Sequence, residues 1–129
     1  MISKRIEANR HSGEIGYTIF LTSRPHGLYS KQSMVGGLKT VEVKKGHEAE
    51  FERLFAELRS EMRAHEPGCI LYSLLKSRTK PGAYIVHEQY QNQAALDAHQ
   101  KSEHGARYFP QMRAVIAKID VEYFDGVVD

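Results

Sequence analysis

The apolar residues Phe51, Leu54, Phe55, Leu58 and Met62 recur at i, i+3, i+4, i+7 and i+11, which places them on one stripe of a helix. Glu48, Glu52, Glu57 and Arg59 point to water. Such a stripe must be buried against another layer, and the flanking segments supply one. Upstream, Leu38 to Val43 mixes Leu, Thr and Glu with β-branched Val and reads as a strand closed by Lys44, Lys45 and Gly46. Downstream, Pro67 and Gly68 stop the helix. Two runs of strand length follow, Cys69 to Leu75 and Ala83 to Tyr90, joined through Thr79, Lys80, Pro81 and Gly82 as a hairpin. In the second run a period of two sets Tyr84, Val86, Glu88 and Tyr90 on one face and Ile85, His87 and Gln89 on the other.

Asn92 can cap a helix from about Gln93 to Lys101. Ser102 to His104 interrupt it before a further helix through Phe109, Met112, Val115 and Ile116, and Ile119 to Phe124 closes the chain as a strand. The order is strand, helix, strand, strand, helical pair, strand. This is an α+β chain close to the ferredoxin-like split pattern, an antiparallel sheet with helices on one face. Both faces of the hairpin carry apolar residues, so the uncovered face calls for a second copy of the chain, and a homodimer is expected.

Residues 1–33 hold no recurring apolar face and carry Gly13, Gly16, Pro25 and Gly27. They read as an N-terminal extension, poorly packed or disordered, with one short strand around Tyr17 to Leu21. The domain is expected to run from 34 to 129, and Met34 is an alternative start of translation. Of 18 Lys plus Arg and 16 Asp plus Glu, 5 and 2 lie in the extension, which leaves 13 against 14 in the domain. No basic face remains for nucleic acid. Cys69 is the only cysteine, so no intrachain disulfide and no thiol cluster for zinc can form, which fits a reducing, cytoplasmic setting. Ile15 to Leu21 is too short and too interrupted to span a bilayer or serve as a secretory core, so no membrane partner is expected.

A search for phosphate loops, dinucleotide fingerprints, a G-x-S-x-G elbow or H-E-x-x-H is empty. Among seven histidines, His11, His26, His47 and His65 lie in the extension or near helix ends and need no function. His99 shares the inward face of its helix with Ala95 and Leu96. Glu88, on the inward strand face, is its candidate partner, a carboxylate that would orient the imidazole and raise its basicity. The plainer readings are a packed His99 and a Glu88 facing water. His104 is a second polar group at the pocket mouth. A spacing of five between His99 and His104 does not match metal ligands on one helical face, so no metal is assigned.

Glu66-Pro67-Gly68-Cys69, Tyr72, Glu88-Gln89-Tyr90, Ala94-Ala95-Leu96, Ala98-His99 and Ser102-Glu103-His104 together resemble the running pattern of antibiotic biosynthesis monooxygenase domains over about residues 35 to 126. The resemblance implies a dimeric ferredoxin-like α/β barrel with a pocket between sheet and helices. Catalysis would fall to His99 and Glu88, with Tyr72, Tyr90, His104 and Phe109 binding substrate. The family includes quinol-type monooxygenases that use no cofactor, haem-degrading enzymes and an isomerase of a phosphorylated autoinducer. Leu38 to Val43 lack the asparagine of the haem-degrading branch, which speaks against haem.

The leading expectation is a cofactor-independent monooxygenase of a small quinol or phenol-like molecule, with molecular oxygen as the second substrate. The alternatives are an isomerase of a small hydroxyketone, which would take up no oxygen, and a non-catalytic small-molecule-binding stress barrel in which His99 only packs.

Overall fold

In a computed structural model, described for the backbone of residues 2–9 and 16–23 and for all of residues 33–128, the chain divides into two units, 1–32 and 33–129. In the first unit β1 (Ile2–Asn9) and β2 (Gly16–Ser23) form an antiparallel pair, where the sequence suggested one short strand. His11 and His26 lie outside the described residues.

The second unit runs β3 (Val35–Val43), α1 (Glu48–His65), β4 (Cys69–Lys76), β5 (Ala83–Tyr90), α2 (Gln93–Gln100), α3 (Glu103–Val115) and β6 (Ile116–Asp125). The four strands form one antiparallel sheet in the order β4-β5-β3-β6, the ferredoxin-like arrangement expected from the order of elements. Phe51, Leu54, Phe55, Leu58 and Met62 are all buried, and α1 lays this stripe on the sheet face built from Val41, Tyr84 and Val86, with Met112 and Val115 of α3 beside it. Removing so much apolar surface from water is the main force holding the two layers together. A smaller cluster of Val35, Tyr90 and Leu96 lies under α2.

Three boundaries differ from expectation. β3 begins at Val35, because Gly36 and Gly37 pair with Gln89 and Glu88 and extend the ladder. β6 begins at Ile116 with no connecting loop after α3. Glu103 and His104 belong to the first turn of α3, capped by Ser102, rather than to an interruption. The turn between β4 and β5 closes on Gly82 with φ +76°, a value that glycine adopts without steric cost. Among the described residues no helix is long and apolar enough to cross a membrane.

Candidate active site

Glu66 ends α1, held there by its N–H bonding to the Met62 carbonyl just before Pro67 and Gly68. His99 lies on the buried face of α2, three residues after Leu96. His104 sits in the first turn of α3, which turns away from α2 at Ser102. That serine locks the corner. Its Oγ donates to the His99 carbonyl at 2.7 Å and accepts from the Gly105 N–H at 3.0 Å. On a single helix a spacing of five would splay the two imidazoles apart, but the break between helices aims both at Glu66.

Nδ1 of His99 lies 3.1 and 3.0 Å from the two Glu66 oxygens, and Nε2 of His104 makes a close contact with Oε2. In a neutral His99, the tautomer that donates from Nδ1 to the Glu66 carboxylate leaves Nε2 with a bare lone pair. That atom is buried and has no hydrogen-bond partner among the described residues. Tyr72, Tyr90 and Phe109 surround the ring at centroid distances of 5.5, 5.4 and 5.3 Å. Burial lowers the His99 pKa, and the hydrogen bond to Glu66 only partly opposes this, so the ring favours its neutral form.

His99, Tyr72 and Phe109 line a cavity of about 220 Å³, together with Lys39, Phe51, Met112 and Tyr123. Glu88, Tyr90 and His104 do not line it, although all three are buried. His99 is hydrogen-bonded to Glu66 and, among the described residues, not to Glu88. Glu88 is fully buried on the predicted face, opposite Gly37 and Tyr72 in the register, with Lys39 Nζ 3.2 Å from Oε2 as an ion-pair contact. Gly37 is required here: a Cβ on it would come within 2.9 Å of Glu88 Cγ and 3.0 Å of the Tyr123 ring. His104 contacts Glu66 and lines a separate depression of about 400 Å³ together with Glu61, His65, Glu103 and Arg107.

Sequence reasoning missed Glu66 as a site residue and missed Lys39. The second was within reach, since Lys39 keeps the parity of buried Val35, Val41 and Val43 along β3. Burial drives the phenol pKa values of Tyr72 and Tyr90 upward, so both remain protonated donors. The Cys69 thiol is pushed up to about 11, chiefly by burial and next by the Glu66 charge, which removes it as a nucleophile at neutral pH.

A ferredoxin-like sheet whose helices enclose a carboxylate-held imidazole beside an aromatic cavity defines a class of small α+β domains. Within that class, the sequence profile of the family described as antibiotic biosynthesis monooxygenase matches residues 34–111. The chain belongs to this family. It is 33% identical to a Caulobacter crescentus CB15 protein whose name places it among these monooxygenases, with 82% of this chain and 100% of that one covered and a TM-score of 0.72. Another solved antibiotic biosynthesis monooxygenase is 27% identical over 73% of this chain and 99% of its own, with a TM-score of 0.66. A Shewanella oneidensis protein is likewise 27% identical, over 76% of this chain and 95% of its own, with a TM-score of 0.68. Among curated proteins, none matches the chain.

Proposed function

We propose that this chain is a cofactor-independent monooxygenase of a small quinol or phenol-like molecule, in which His99 is the base. The observation that carries this is the setting of His99: Nδ1 lies 3.0 Å from a Glu66 oxygen, while the buried Nε2 has no hydrogen-bond partner among the described residues, in a ring that lines an aromatic cavity. A neutral imidazole with its proton on Nδ1 can take a proton from a substrate hydroxyl. The resulting anion is electron-rich enough to reduce oxygen itself, one oxygen atom entering the product and the other leaving as water. The aromatic walls desolvate and orient the anion. Lys39, ion-paired with Glu88, also stands at the cavity wall beside the substrate. Glu66 is a positioning residue. Two copies of the chain, packed through the helix-free sheet face, complete the working unit.

Oxygen uptake matched to quinol consumption tests the chemistry and separates it from isomerisation. With such a substrate, His99→Ala should lower turnover per folded protein by roughly a hundredfold or more. Glu66→Gln should cost less and move the acid limb of the pH profile downward, because the charge that props up the imidazole basicity is gone. Unchanged specific activity in a well-folded His99→Ala protein would remove His99 from the chemistry.

A further inference from the structure

Glu66, His99 and His104 come from the end of α1, the end of α2 and the start of α3, and their ligating atoms all lie within 4.8 Å of one another. We propose that these three side chains form a binding site for one divalent metal ion of the zinc type, and that an ion bound there silences the base. The ligands would be Nδ1 of His99, Nε2 of His104 and the Glu66 carboxylate.

Three observations converge on this site. First, the donor set is right: two imidazoles and one carboxylate suit a borderline-soft dication and are poor for calcium or magnesium. Second, the charge is right. The three side chains are 2%, 8% and 6% exposed, and among the described residues Glu66 meets these two rings and forms no ion pair with a lysine or arginine. A buried carboxylate held only by imidazole N–H groups has unmet demand for positive charge, which a dication satisfies. Third, the geometry is close to what an ion needs. Ligands at about 2.0–2.2 Å from a tetrahedral ion sit roughly 3.3–3.6 Å apart. The 3.0 Å separation of His99 and Glu66 therefore needs only a small opening. The His104 contact must open further, and it can, because His104 also borders the depression that Glu61, His65 and Glu103 line. Water entering there would fill the remaining position. Arg107 stands in the same depression but is paired with Glu61 at 3.0 Å.

The consequence for the base rests on the function proposed above. A neutral imidazole has one bare nitrogen. A metal on Nδ1 of His99 moves the ring proton to Nε2, the atom that must be bare to accept a proton from substrate. Ion and base chemistry then exclude one another.

The test is a titration of the chelator-treated, full-length chain with zinc chloride by calorimetry, with cobalt(II) as the spectroscopic probe. One ion should bind per chain, cobalt should give visible bands of tetrahedral intensity, and Glu66→Gln and His104→Ala should each weaken binding by at least about tenfold. Cys69→Ser should bind as the unmodified chain does. No uptake by the unmodified protein at millimolar zinc overturns the site. So does equal affinity in both variants shown to be folded by circular dichroism, or a loss confined to Cys69→Ser. Zinc should also stop quinol oxidation, and a chelator should restore it. Zinc held by these residues with turnover unchanged overturns the exclusion between ion and base. A metal-free protein that oxidises no quinol counts instead against the proposed function, while calorimetry still decides the site.

Discussion

Two forces act on the His99 ring in opposite directions. Burial disfavours its charged form, whereas the Glu66 carboxylate favours it, and burial is the larger effect. The folded-state pKa therefore lies below the ordinary value of 6.5. For a histidine shifted this way the folded protein binds protons less readily than the unfolded chain, so stability is fully present above the unfolded pKa and is lost as pH falls through it toward the folded value. Thermal melts between about pH 7.5 and about pH 5.5 should show a larger drop for the natural protein than for His99→Gln. Parallel drops in the two proteins would mean that the ring titrates normally. The inward direction of His99 was legible from its spacing to Leu96. Its partner was not, because the spacing of residues within α2 says nothing of a carboxylate 33 residues earlier in the chain.

At the level of elements, the site depends on how tightly α2 seats against the start of β4. A Cβ added at Gly68 would meet the Ala95 Cβ at 2.6 Å, so the helix carrying His99 approaches a backbone that has no side chain to spare. Gly68→Ala should destabilise the fold by about 1–3 kcal/mol, the usual scale of overpacking. Adding Ala95→Gly should recover part of that, read as the denaturant midpoint at constant slope. No recovery would place the cost in the turn rather than in the contact. Helix α1 was fully legible, since its buried set is the predicted stripe. The strand starts were not. Gly36 and Gly37 have little intrinsic strand preference, and their place in β3 comes from the paired residues of β5.

For the whole molecule, the sheet face away from the helices leaves apolar side chains exposed. Leu38, Leu75 and Phe124 on that face are 43%, 55% and 44% exposed, apolar surface that a second copy would cover. Sedimentation at micromolar concentration should give a dimer, and replacing Leu38 and Phe124 with Glu should give monomer. A natural chain that sediments as a stable monomer would count against the two-copy unit. The boundary at Met34 has its own test. A chain starting there should melt within a few degrees of the full protein, whereas a fall of more than about ten degrees, equivalent to more than about 1 kcal/mol, would mean that residues 1–33 stabilise the domain.

What the sequence by itself determined is the order of elements and the side of each on which its residues lie. Periods of 3.6 and 2 are local properties, and the stripe of α1 and the buried row of β5 could be read from them. What only the tertiary structure decided is which buried polar groups meet. Glu88 was legible as inward-facing, yet the register of β3 against β5 brings Lys39 to it. His99 and His104 looked mismatched at a spacing of five, yet the helix break at Ser102 turns both toward Glu66. Pairing of this kind depends on packing angles and strand register between segments far apart in the chain, and no local periodicity encodes these.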